Sequence, residues 1–226
     1  MRRCLSILLL LMLALSMTAF AAEEKKPVRL ARLPIIFLSE TPDRNVRVEL
    51  ELKISRAVHL PLNKTLKAID YISATESKKV MQNLWEKTYR KNKRKAKLQD
   101  VMEPLAKKLD ADLIVCPVLR RFSETTFPST GLSMNSENHM ISNVSFELIV
   151  YDSKTKELTT KKQSRSYNGE ESNWGTARFL AEDCLSTVIE QTGIRRKVMS
   201  YLPNRTPIAA NEGMPAVVER KTIERQ

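Results

Sequence analysis

The chain has 226 residues, 42% hydrophobic, 28% charged and 6% aromatic, with a formal net charge of +12. These proportions exclude a collagen-like, low-complexity or polytopic membrane chain and fit one globular domain long enough to bury a core. Five glycines, two histidines and three cysteines leave little material for glycine-cradled phosphate sites, metal centres or thiol chemistry.

Met1-Arg2-Arg3 is a short basic start, and Leu5 to Met17 is an almost unbroken apolar run. Ala19-Phe20-Ala21 then puts small residues at the third and first positions before a cut. This layout predicts a secretory signal peptide over residues 1–21, cleaved between Ala21 and Ala22. The run is too short to cross about 30 Å of hydrocarbon comfortably as a helix. Cys4 precedes the run, whereas a lipid-modified cysteine would follow it, so no lipid anchor is expected. No later stretch reaches about 18 apolar residues. The cleaved chain is therefore expected to be water-soluble, not integral to a membrane, and exported to a bacterial periplasm or the exterior.

Leu30 to Leu38 is β-rich and apolar, and predicts a first strand in which Pro34 marks an edge or a bulge. Arg44 to Val58 fits two patterns. Val46, Val48, Leu50, Leu52 and Ile54 alternate as in a strand, while Val46, Leu50, Ile54 and Val58 recur every four residues as in a helix. Helix is preferred, because Glu, Leu, Lys and Ala fill much of the window. Pro61-Leu62-Asn63 ends it, and Ala68 to Ala74 reads as a second short strand.

Ser77 to Tyr89 predicts a helix with Val80, Met81, Leu84 and Tyr89 near one face. A further helix is expected from Asp100, where Asp100 and Glu103 match a capping box and Pro104 is tolerable near the first turn. Asp112 to Arg120 is the most apolar strand of the cleaved chain, and Phe122 to Met140 reads as a long polar loop. Ile141–Tyr151 and Leu158–Tyr167 form a hairpin, and Asn173–Lys197 is the last helix, with a stripe containing Leu180, Cys184, Leu185 and Val188. Pro203, Pro207, Gly213 and Pro215 make 203–226 a flexible tail. The order β-α-β-α-β-β-β-α defines a single α/β domain over 22–202, a mixed sheet with helices packed on it.

Chemistry is sparse. No phosphate-cradling glycine loop, H-E-x-x-H or G-x-S-x-G occurs. His59 and His139 lie far apart in the chain, and the adjacent Glu170-Glu171 do not face each other on a helix or strand. No catalytic residue, metal or cofactor is therefore predicted. Cys116 and Cys184 both fall on apolar faces. Export would permit a disulfide between them, contributing on the order of 4 kcal/mol. Two separate buried thiols are the alternative, preferred because nothing in the sequence fixes their separation.

Lys87 to Lys97 holds seven cations and no acid. Arg90, Lys91, Lys93, Arg94, Lys95 and Lys97 are the candidate anion contacts, with Lys78 and Lys79 upstream and Trp85 and Tyr89 as amphipathic neighbours. Each cation near an anionic surface is worth about 1 kcal/mol, screened within a Debye length. Nucleic acid is disfavoured, since no recognition module interleaves aromatics with the charges. Asn63, Asn143 and Asn204 begin glycosylation-type triplets.

The phrase LAKKLDADLIVCPVL and the hairpin turn VYDSKTKEL sit between an early strand and a closing helix. In this the chain, over roughly Val28 to Val198, resembles the amino-terminal domain of TolB and the soluble domain of the curli-secretion lipoprotein family. The resemblance implies an exported α/β domain and carries over no active-site residue. The function expected is a non-enzymatic envelope component acting through a protein partner. The alternative is electrostatic binding of anionic lipid or cell-wall polymer through 87–97.

Overall fold

A computed structural model describes residues 26–91, 96–128 and 138–202. Residues 1–25, including the expected cleavage point at Ala21 and Ala22, the basic residues Lys93, Arg94 and Lys95, and the segment from Pro203 lie outside the described residues.

In chain order the elements are β1 (Val28–Arg32), β2 (Ile36–Phe37), α1 (Arg44–Val58), α2 (Asn63–Leu66), β3 (Ile69–Ile72), α3 (Ala74–Lys91) and α4 (Gln99–Leu109). There follow β4 (Leu113–Phe127), β5 (His139–Asp152), β6 (Glu157–Glu170), a 3₁₀ turn (Asn173–Gly175), α5 (Ala177–Thr192) and α6 (Ile194–Ser200). The strands form one mixed sheet in the order β3-β1-β4-β5-β6, with β2 also on β4. β1 runs parallel to β3 and β4, and β4, β5 and β6 form an antiparallel meander.

β4 explains the layering. Leu113, Val115 and Leu119 point to one face, where they meet Leu50 and Ile54 of α1 and Cys184, Leu185 and Val188 of α5. Ile114, Cys116 and Val118 point to the other, against Met81 of α3 and Val101, Met102 and Leu105 of α4. A strand buried on both faces reads as a continuous apolar run rather than an alternating one. The result is a three-layer α/β sandwich, the mixed sheet with packed helices that the element order implies.

Several expectations are corrected. The first strand is broken at Leu33–Ile35, because Pro34 has no N–H to give to a ladder. Leu33 N–H to Val115 O (2.9 Å) and Leu38 N–H to Leu119 O (3.0 Å) hold both halves on β4. Both ends of the expected polar loop are strand, since β4 and β5 continue their pairing to Phe127 and His139, while 129–137 lie outside the described residues. On the β4 side Glu124 to Phe127 are exposed, so alternation in hydrophobicity is not needed there. The capping box is not formed. α4 starts at Gln99, so Asp100 lies in the first turn and accepts the N–H of Lys97 (2.8 Å), while Glu103 pairs with Lys107 (2.7 Å). The last helix is split by Gly193, whose φ of +61° closes α5 with a left-handed turn before α6 begins.

α1 resolves the double pattern in its sequence. Asp43 caps it by accepting the N–H groups of Asn45 (2.7 Å) and Val46 (3.0 Å). Val46, Leu50, Ile54 and Val58 are buried. Val48 and Leu52, two positions off that stripe, lie on the other side of the same helix and are exposed.

Asp152 ties the β5–β6 turn to the carboxyl-terminal helix. Its Oδ1 accepts N–H groups of Lys154 (2.9 Å) and Thr155 (3.3 Å), and its Oδ2 meets Lys197 Nζ at 2.6 Å. Burial opposes ionisation of this carboxyl, but Lys197 and the two N–H groups outweigh it and hold its pKa below the ordinary carboxylate value. A depressed folded-state pKa stabilises above the unfolded value of about 3.9 and is lost as pH falls through the folded value. Asp152→Asn should therefore lower stability by about 2 kcal/mol at pH 7. Urea titrations should show the gap to the parent chain closing below about pH 4. Phe146→Ala, at a fully buried position, should cost about 3–5 kcal/mol in the same measurement.

Candidate functional site

A groove of about 1420 Å³ opens between the two helical layers. It exists because β3 is short. The last β3 residue, Ile72, pairs with Ala31, and beyond it, among the described residues, β2 pairs only with β4. No described strand separates the layers there, so helices on opposite faces of the sheet look at each other across the groove.

One wall is a single face of α1: Arg44, Arg47, Val48, Glu51, Leu52 and Ser55 follow one another at helical spacing. The other is a face of α3, with Lys78, Met81, Gln82 and Trp85. Leu33 to Leu38 form the floor, Arg120, Glu147 and Ile149 reach in from β4 and β5, and Lys97, Leu98 and Gln99 close one side. Leu38 is 53% exposed and Val48 and Leu52 are each 49% exposed, so three large apolar side chains converge on one trough while half in water. Contiguous exposed apolar surface of this kind marks binding sites more often than scattered single residues do.

The electrostatics of the groove are one-sided. Glu51 accepts the N–H of Ile35 at 2.6 Å and pairs with Arg32. Glu147, buried on β5, pairs with Arg120, which sits where a bulge shifts the β4–β5 register. Both acids are thus matched by their own arginines. Arg44, Arg47, Lys78 and Lys97 also line the groove, and among the described residues none has a carboxylate within ion-pair distance.

The residues singled out from sequence fall in three places. Arg90 pairs with Glu86 near the end of α3, and Lys91 is the exposed last residue of that helix. Lys97 stands on the groove rim with Lys78. Lys93, Arg94 and Lys95 lie outside the described residues. Cys116 and Cys184 are free thiols on opposite faces of the sheet, each packed in a different cluster, so the structure does not bring them together. Burial pushes their pKa values up, to about 12 for Cys116 and about 11 for Cys184. His59 stacks on Tyr71 with ring centroids 4.3 Å apart, and His139 opens β5 with Nε2 2.6 Å from Asn168 Oδ1. His139 is therefore on a strand, not in a loop. Among the described residues no helix is long and apolar enough to cross a membrane.

Sequence reasoning missed the α1 half of the groove. Its signal was present: apolar residues alternating within a helix mean that two of its faces are apolar, and only one can face the core.

No protein-family profile matches the chain, and no curated protein matches it in sequence. Among solved structures it is similar to the hypothetical protein CT253 from Chlamydia trachomatis, at 14% identity over 77% of this chain and 99% of that one, with a TM-score of 0.43. It is also similar to lipoprotein GNA1162 from Neisseria meningitidis, at 17% identity over 74% and 99% with a TM-score of 0.34. The LpoB C-terminal domain from Salmonella enterica shares 8% identity over 66% and 90%, with a TM-score of 0.30.

The thiols provide a direct check on the packing. In the native protein at pH 8, both Cys116 and Cys184 should resist alkylation. In urea without reductant both should react fully, and thiols still blocked there would reveal a bridge that the packing forbids.

Proposed function

We propose that this protein is an exported, non-enzymatic binding component of a bacterial cell envelope, and that the groove between α1 and α3 is its working surface. A removable signal peptide over 1–21, one domain over 22–202 and a flexible tail over 203–226 belong to the same proposal. So does the kinship in design with TolB-like and curli-secretion domains. The observation that carries it is the convergence of half-exposed Leu38, Val48 and Leu52 on a trough whose cations Arg44, Arg47, Lys78 and Lys97 have no paired acid among the described residues. Fully burying one such side chain is worth about 1.5–3 kcal/mol, so covering three of them is a substantial driving force for association.

A second reading, adherence to anionic lipid or cell-wall polymer through Lys87–Lys97, draws support from the exposure of Lys91 and from Lys97 on the groove rim. It predicts that replacing Arg90, Lys91, Lys93, Arg94 and Lys95 by Gln abolishes salt-sensitive binding to anionic vesicles.

The main reading is tested in cells. Expressed in full in a bacterial host, the chain should be recovered outside the cytoplasm with Ala22 as its first residue by mass spectrometry. A photo-crosslinking residue at position 52 should give a discrete adduct that the same residue at exposed Glu157, on the far hairpin, does not. Retention of the first 21 residues in the cytosol, or identical labelling from the two positions, would overturn the proposal.

A further inference from the structure

We infer that the groove binds an anionic lipid as a single molecule, its acyl tail laid in the trough and its phosphate-bearing headgroup held at the rim. This rests on the reading of the groove as the working surface and names what it takes.

Shape comes first. The slot lies beside β2, with Val48 and Leu52 on one wall and Met81 and Trp85 on the other. Its volume of about 1420 Å³ exceeds the roughly 300–1,000 Å³ of pockets for compact small molecules. Charge comes second. The two carboxylates in the groove are matched internally by Arg32 and Arg120, which leaves Arg44 and Arg47 on one wall and Lys78 and Lys97 opposite. An anion at the mouth meets cations from both sides.

The choice of occupant turns on hydrogen bonding. An extended peptide entering the slot would bring an N–H and a C=O for every residue, and a buried amide without a partner is costly. The strand beside it offers little in return: β2 has only two residues, and Glu51 already holds the N–H of Ile35. An acyl chain has no such groups to satisfy and gains from every apolar contact along the walls. A purely ionic ligand would use the rim and leave Val48 and Leu52 in water. An anionic lipid uses both features at once.

The test uses the purified, signal-cleaved chain and four probes. These are palmitoyl-lysophosphatidylglycerol below its micellar concentration, the palmitoyl-lysophosphatidylcholine analogue, glycerol 3-phosphate, and an acidic ten-residue peptide. Native mass spectrometry should show one lysophosphatidylglycerol per protein, with at least tenfold weaker retention of the zwitterionic analogue and none of glycerol 3-phosphate or the peptide. Leu52→Glu should abolish binding, and Arg44→Gln with Lys78→Gln should reduce the anionic lipid to the level of the zwitterionic one. These side chains are exposed, so circular dichroism and the urea midpoint should stay at parent values; Leu52→Gln serves as a neutral version if Leu52→Glu shifts them. Equal retention of glycerol 3-phosphate, or lipid binding that ignores Leu52→Glu, would overturn the assignment. If no lipid binds while position 52 still crosslinks to a protein in cells, the lipid assignment falls and the groove stands as a protein site. If both fail, the working-surface reading falls with it.

Discussion

The constraint from which the rest follows is that β4 must hide both of its faces. Leu113, Val115 and Leu119 cannot be covered by the same helices as Ile114, Cys116 and Val118, so two helical layers are required. Once α1 and α5 lie on one side and α3 and α4 on the other, the neighbouring strands are recruited around β4, parallel on one flank and antiparallel on the other. The carboxyl-terminal helix is then fastened to the hairpin by Asp152 and Lys197, which closes the chain back on the sheet.

Much of this was legible in the residues. The apolar run of β4, the four-residue recurrence in α1 and the stripe of α5 are direct records of burial, because water excludes those side chains wherever they sit. What was illegible obeys other forces. Thr125 and Thr126 are in a strand because a hairpin, once started, extends as long as backbone groups can pair, and their polarity says only that this end of β4 stands in solvent. Asp100 and Glu103 had the right spacing for a cap, but the cap position of the helix is Leu98, two residues earlier, and the match lost its meaning.

The candidate site was half-visible for a related reason. Lys78, Lys97 and Trp85 drew notice as part of a basic, aromatic segment, whereas Arg44, Arg47, Val48 and Leu52 did not. Their importance comes from a length: β3 stops at Ile72 while β2 continues to Phe37. No local pattern records the distance by which one strand outruns another. Where β3 has ended, the groove opens between α1 and α3, and Val48 and Leu52 on the second apolar face of α1 are exposed.

The separation of Cys116 and Cys184 by the sheet bears on how the molecule would mature in an oxidising compartment. In the finished fold the sheet itself is the barrier between them, and each sulfur is sealed among hydrocarbon. They can meet only while the polypeptide is still loose. Thiol oxidation takes seconds to hours, so collapse of the sandwich and premature bridging are in a race. Once folded, Cys116 and Cys184 form no bridge that a reductant could break, and what holds the sandwich together at these two positions is packing.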